Sequence, residues 1–284
     1  MRRLLPLLLL APLLAAACSA PAAGPSPAPS APPGSATAAV VPASPGDRTL
    51  SLTRPEGARE AIVVHPASAR PGAALVVVMH GSGGTGEDMR GLGFDDLAAR
   101  DGVIMAYPQG LSGTWNAGAC CGSAASKKID DVGYLTALAA TLVGTDGVDP
   151  RRVYAVGFSN GAMMSYTWAC AGGALAGIGP VAGATTGPCP SPTPTSVIAL
   201  AGTADDRVKI EGRPERGWDS LEVTLAPFLT ADACAAPATS TDGPATLTTW
   251  ACGGGHTVVR DVLAGQGHSW PDSATGFLWE KLGI

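Results

Sequence analysis

Three side chains far apart in the chain have the types required for nucleophilic acyl transfer. Ser159 sits in Gly157-Phe158-Ser159-Asn160-Gly161, Asp205 in Gly202-Thr203-Ala204-Asp205-Asp206, and His268 in Gly265-Gln266-Gly267-His268-Ser269-Trp270-Pro271. A serine hydroxyl is a weak nucleophile until a base takes its proton. Imidazole, with an ordinary pKa of about 6.5, takes that proton and returns it to a leaving group near neutral pH. A carboxylate behind the imidazole fixes its tautomer and stabilises the imidazolium. Of the four histidines only His256 and His268 follow the acid. His256 opens a strand-like run and reads as a packing or surface residue, which leaves His268 as the base. Asp205 is the expected acid, with Asp206 second; an Asp pair after a strand otherwise reads as a turn or a helix cap.

The elements that must position these groups are legible around them. Ser159 follows the apolar run Arg152 to Val156 and precedes a helix-like segment, Ala162 to Ala171. Strand, glycine-bracketed turn and helix together read as a nucleophile elbow, in which a strained turn lifts the hydroxyl above a sheet. Amides at the start of that helix, Asn160 first, would face negative charge developing on an attacked carbonyl. A second amide is expected at Ser82, or at its neighbour Gly83, in His80-Gly81-Ser82-Gly83-Gly84, directly after the continuous apolar run Leu75 to Met79. A phosphate loop is the weaker reading of these glycines, because no G-x-x-x-x-G-K-[ST] occurs.

Strand-like runs at Ala61 to His65, Leu75 to Met79, Val103 to Tyr107, Arg152 to Phe158, Gly177 to Ala182, Ser196 to Ala201 and Val258 to Val262 alternate with helical stretches. The clearest helices are Asp130 to Val143 and Asn160 to Ala171. That alternation predicts an α/β domain over residues 48–284, with a mostly parallel central sheet and helices on both faces. Asp130 and Asp131 read as a helix cap and a first-turn acid, not as a metal site. No metal-ligand spacing occurs, and the expected chemistry needs no cofactor.

Seven blocks occur in one order: His80 to Gly84, Tyr107-Pro108-Gln109-Gly110, Trp115-Asn116 with Cys120-Cys121-Gly122, Asp130-Asp131-Val132-Gly133, Gly157 to Met163, Gly202 to Asp205 and Gly267 to Pro271. From about residue 60 onward they make the chain resemble the secreted polyhydroxybutyrate depolymerase and feruloyl esterase-like group of α/β hydrolases, related to family 1 carbohydrate esterases. The resemblance implies the α/β-hydrolase fold and a serine carboxylic ester hydrolase with Ser159, Asp205 and His268 as triad. It places Trp115 and Trp270 near an acyl pocket; His80 is counted with that pocket, although the residue itself reads as structural. One departure is Ala201, where such proteins often carry a histidine before the glycine; it leaves the triad untouched. A depolymerase-like activity on short-chain hydroxyalkanoate esters is the first expectation, and a feruloyl or acetylxylan esterase the alternative. A non-catalytic, lipid-anchored envelope binding protein is the rival of another class, and a peptidase a further one.

The N-terminus predicts export. Arg2 and Arg3, the apolar run Leu4 to Leu14 and Ala15-Ala16-Ala17 form a signal peptide over 1–17 whose core falls short of the roughly 20 residues that span a bilayer. Cys18 then follows small residues as in a bacterial lipobox, with Leu14 one place further away than usual. Lipidation at Cys18 is expected, ordinary cleavage nearby being the alternative. Residues 18–47 are a charge-free tether up to Asp47, with eight prolines. Six cysteines remain after Cys18, and three disulfides are expected in an oxidising compartment. Cys234 with Cys252 is the local pair, and Cys120 and Cys121 would share Cys170 and Cys189 in some order. Without Arg2 and Arg3, 16 basic residues stand against 23 acidic ones, which argues against nucleic-acid binding. A monomer is expected.

Overall fold

The computed structural model describes residues 45–284. The signal segment, Cys18 and the tether as far as residue 44 lie outside the described residues. Ten strands form one sheet: β1 Gly46–Arg54, β2 Gly57–His65, β3 Ala73–Met79, β4 Ile104–Pro108, β5 Val148–Phe158, β6 Gly177–Val181, β7 Ser196–Gly202, β8 Ala238–Asp242, β9 Ala245–Ala251 and β10 Thr257–Leu263. Their order is β1-β2-β4-β3-β5-β6-β7-β10-β9-β8. The six strands from β4 to β10 in that order pair in parallel, and an antiparallel pair extends the sheet at each end.

The parallel block forms where the sequence is most continuously apolar. Every residue of β3 (AALVVVM) and of β4 (IMAYP) is buried, as befits strands covered on both faces. Helices supply the cover: α1 Gly86–Arg90, α2 Phe94–Asp101, α3 Gly122–Ser126, α4 Asp131–Asp146, α5 Asn160–Cys170, α6 Leu221–Ala231 and α7 Ala274–Leu282. One core, around Leu75, Val77, Ile104, Leu135, Leu138 and Tyr166, lies under α4 and α5. The other, around Val76, Val78, Phe94, Val156, Leu278 and Trp279, lies under α2 and α7. Because β3, β5, β7 and β10 run the same way, the loops that follow them open at one edge of the sheet. Met79 pairs with Gly157 there, Phe158 with Val181, and Gly202 with Leu263.

Three strands are additions to the sequence reading. β1 (GDRTLSLTR) is half-exposed and polar on alternate positions, β8 (ATSTD) is exposed throughout, and β9 (ATLTTWA) is mostly half-buried. None has the apolar density that marks a covered strand. β1 also begins at Gly46, ahead of the expected domain start at residue 48.

Asp131 is more than a first-turn acid. Asp130 caps α4 by accepting from the Gly133 amide, but Asp131 is buried and ion-paired with Arg59 at 2.6 Å. Arg59 is itself buried, with its guanidinium 4.0 Å from the centre of the Tyr134 ring. The other Asp131 oxygen accepts the Asn116 amide at 2.7 Å, tying the Trp115 loop to α4. Burial raises the Asp131 pKa against the pull of Arg59.

The cysteine pairing also differs from expectation. Cys234 bonds Cys252, but Cys170 bonds Cys189, and the adjacent Cys120 and Cys121 bond each other. The reason is distance along α5. Cys120 lies beside Asn160 at the start of that helix, whereas Cys170 is its last residue; 11 residues at about 1.5 Å each separate the two ends by roughly 15 Å. No sharing between those cysteines is geometrically open.

Candidate active site

Ser159 connects β5 to α5 with φ 54° and ψ −116°. Such a left-handed φ on a non-glycine residue costs free energy and persists only where the surroundings impose it. Here they do. The Ser159 amide donates to Val181 O at 2.9 Å, and its carbonyl accepts from Met163 N at 2.9 Å. Gly157 and Gly161 touch each other across the turn, and a Cβ on Gly161 would overlap the carbonyl oxygens of Met79 and His80. The glycines thus let strand, turn and helix close around one raised side chain.

The three residues named first from the sequence meet at this edge. His268 Nε2 lies 2.9 Å from Ser159 Oγ, and His268 Nδ1 lies 2.7 Å from Asp205 Oδ2. Asp205 is buried, and its other oxygen accepts the amides of Arg207 and Val208 at 2.9 Å each. Those amides aim the carboxylate at the imidazole. Asp206 is exposed and makes no contact with His268. The Phe158 ring packs 5.0 Å from the His268 ring and limits its swing. With Nδ1–H donated to Asp205, Nε2 is the basic nitrogen and faces the serine proton, the arrangement that general-base activation of a hydroxyl needs. His256 is elsewhere, hydrogen-bonded to Asp232.

Ser82, from the loop after β3, and Asn160, from the start of α5, flank Ser159. Ser82 shares a cavity with Ser159, and the adjacent Gly81 is so close that a Cβ there would stand 3.4 Å from the Ser159 Cβ. Asn160 is the first residue of α5, so its amide has no intrahelical acceptor. Neither amide donates to another backbone carbonyl among the described residues. Gly83 is less suited, since its amide donates to Gly113 O at 2.8 Å.

His80, Trp115 and Trp270, expected at the pocket, are not part of the cavity wall. His80 and Trp115 are fully buried beneath it. His80 Nε2 accepts the Gly110 amide at 2.9 Å, and Nδ1–H donates to Gly81 O at 2.7 Å. The ring is therefore neutral, in keeping with a pKa lowered by burial. The Trp115 indole donates to His80 O at 2.9 Å. These two residues brace the loop carrying Ser82. Trp270 packs edge-on against Phe158 and Phe94 and donates to Thr275, away from the opening.

The cavity at Ser159 measures about 370 Å³. Phe158, Met163, Val208 and Cys121 supply its apolar wall, and Asp206, Arg207, Arg213, Arg216 and Trp218 its rim. Met163, one turn beyond Ser159 on a helix, could be placed from spacing. The arginines and Trp218 could not, because they belong to a loop between β7 and α6 whose return over the site leaves no periodic signal.

No family model matches the chain. It is 30% identical over 227 residues to the protein named "Putative esterase NocK" of Nocardia uniformis subsp. tsuyamanensis, spanning 70% of this chain and 66% of that one. It is 31% identical over 126 residues to Feruloyl esterase B of Piromyces equi, spanning 40% of this chain and 23% of that one. The chain thus spans less than two thirds of the length of either relative. Among solved structures, an acetyl xylan esterase from Aspergillus awamori superposes with a TM-score of 0.64 at 17% identity, over 83% of this chain and 99% of that one. A feruloyl esterase module from Clostridium thermocellum, complexed with sinapinate, gives 0.52 at 13% identity, over 86% and 89%. At such identities the structures establish the α/β-hydrolase fold.

Proposed function

We propose that this feruloyl esterase-like α/β hydrolase is a serine carboxylic ester hydrolase that works through an acyl-enzyme. The observation carrying the reading is the unbroken chain of contacts from Asp205 through His268 to Ser159, set at a strained elbow on the wall of an open cavity. Ser159 Oγ attacks the ester carbonyl carbon while His268 Nε2 takes its proton. The carbonyl oxygen becomes an oxyanion held by the amides of Ser82 and Asn160. As the C–O bond to the alcohol breaks, the imidazolium gives its proton to the departing oxygen. Water then adds to the acyl-enzyme by the same route, releasing the acid and restoring Ser159. Asp205 holds the Nδ1–H of the imidazole throughout.

The names of the relatives support acyl esters on plant polysaccharide as substrates, feruloyl or acetyl in kind. Hydroxyalkanoate oligomers are a second reading, favoured by the arginine rim, since each such oligomer ends in a carboxylate. Three disulfides support placing the protein in an oxidising compartment outside the cell. The signal peptide, lipidated Cys18 and tether remain part of that proposal, as does the monomer. No helix among the described residues is long and apolar enough to cross a membrane.

The test is hydrolysis of p-nitrophenyl esters from acetate to octanoate by the protein and by its Ser159→Ala variant. Turnover that drops by about 10⁶ in the variant is expected. A folded parent that neither hydrolyses these esters nor reacts with a fluorophosphonate probe refutes the reading in favour of a binding protein. Release of ferulate or acetate from arabinoxylan, against release of hydroxybutyrate from its oligomers, separates the two substrate classes.

A further inference from the structure

We propose that the ester taken by this site carries a carboxylate close to the scissile bond, held by Arg213 and Arg216 beside Trp218. The inference rests on the hydrolase reading above and narrows its substrate. Residues beyond the export segment carry 16 basic against 23 acidic side chains, yet the rim of the Ser159 cavity gathers Arg207, Arg213 and Arg216 against a single carboxylate, Asp206. An acidic chain that turns a positive rim toward its nucleophile concentrates field where a substrate enters.

The arginines are not consumed by the fold. Arg207 and Arg216 have no ion-pair partner among the described residues. Among the described residues the one carboxylate within ion-pair distance of Arg213 is Glu215 at 3.8 Å, on a side chain 64% exposed, so the pair is loose. Arg213 Nη2 donates to the backbone oxygen of Asp206, which fixes the fork at the cavity rim. The Arg216 guanidinium lies 5.2 Å from the centre of the Trp218 ring. Two donors here lack acceptors: Arg213 Nε and Trp218 Nε1 are both buried without a hydrogen-bond partner. A carboxylate fits, because its two oxygens match the planar guanidinium fork. A neutral acyl or sugar oxygen can accept from these arginines but does not answer their charge.

The carboxylate can belong to the acyl part, as in a dicarboxylic half-ester, or to the alcohol part, as in a hydroxyacid or a uronic acid. Two pairs of probes distinguish these sources. The acyl pair is mono-p-nitrophenyl adipate beside its methyl ester; the alcohol pair is para-acetoxybenzoate beside its methyl ester. In one pair the charged ester is expected to have a kcat/KM about tenfold above its neutral twin, mainly through KM, as suits a charge-assisted contact near solvent. The ratio should fall as salt is raised. Arg213→Gln and Arg216→Gln should each bring it toward one; Arg216 is exposed, so its variant reads the contact even if the first disturbs the loop. Equal kcat/KM within both pairs, or an unchanged ratio in Arg216→Gln, overturns the carboxylate subsite and leaves ester hydrolysis standing. A folded parent that turns over none of the four esters overturns both.

Discussion

Asn160 grips the backbone of Trp115 from both sides. Its side-chain oxygen accepts the Trp115 amide at 2.7 Å, and its side-chain nitrogen donates to the Trp115 carbonyl at 3.0 Å. The residue next to the nucleophile thus locks a loop 45 positions away in the chain, and through Trp115 the His80 loop as well. Both bonds are buried. Asn160→Ala is expected to destabilise the protein by about 2 to 4 kcal/mol, because it strands a buried donor and a buried acceptor. Asn160→Asp keeps the acceptor but sets a buried carboxylate oxygen against the Trp115 carbonyl oxygen, and should lose at least as much. Denaturant midpoints of the two variants check the order.

Asp205→Asn keeps the shape of the triad but can present an N–H to His268 Nδ1, favouring the wrong imidazole tautomer. A fall in kcat of about 10³ to 10⁴ is expected, with KM for p-nitrophenyl acetate little changed. Asp206→Asn should keep most of the parent's kcat, since Asp206 does not touch the imidazole. Steady-state kinetics on both variants decides between the two carboxylates.

Gly161→Ala tests the close approach of α5 to β3. The added methyl would meet the carbonyl oxygens of Met79, the buried end of β3, and of the buried His80 that follows it, and neither has room to retreat. A loss of about 3 kcal/mol or more is expected, read as a lower unfolding midpoint. Gly276→Ala on α7, where a Cβ meets nothing, serves as control.

Asp261 of β10 has an oxygen buried without a partner, and burial pushes its pKa up from 3.8 to about 6. A carboxyl whose folded pKa is raised favours the folded state fully below its ordinary pKa, and that contribution is lost as pH rises through about 6. Asp261→Asn removes the titrating group. The variant should gain on the parent by about 1 to 2 kcal/mol between pH 4 and pH 7, after allowance for partial solvation. Unfolding free energies at the two pH values check the sign.

The legible part of the fold is the part where one local signal suffices. β3, β7 and the Val153 to Gly157 half of β5 announce themselves because a strand covered on both faces must be apolar along its run, and a glycine at or near each strand end marks where the chain leaves the sheet. Ser159, Asp205 and His268 could be named because each sits at such an exit. What stayed hidden depends on long-range return. β1, β8 and β9 pair at the flanks with polar faces, so their strand character comes from partners and not from composition. Even cysteine count predicts bonds but not partners, and the length of α5 decided them. Trp115 and Trp270 look like pocket residues because aromatic side chains suit both roles; only the hydrogen bonds of their indoles, to His80 O and to Thr275, place them in support.

Among the described residues the sheet ends in two open strands, and neither invites a neighbour. β8 is five residues long, rich in threonine and serine, and closes on Asp242; β1 carries Asp47, Arg48 and Arg54 along its length. An extended segment from another molecule would have to desolvate hydroxyls and charges to pair there, with little apolar surface gained in return. Protein crowded onto a surface or held at high concentration should therefore resist stacking sheet against sheet into fibrous aggregates, although ten strands of hydrogen-bonding template lie between those edges.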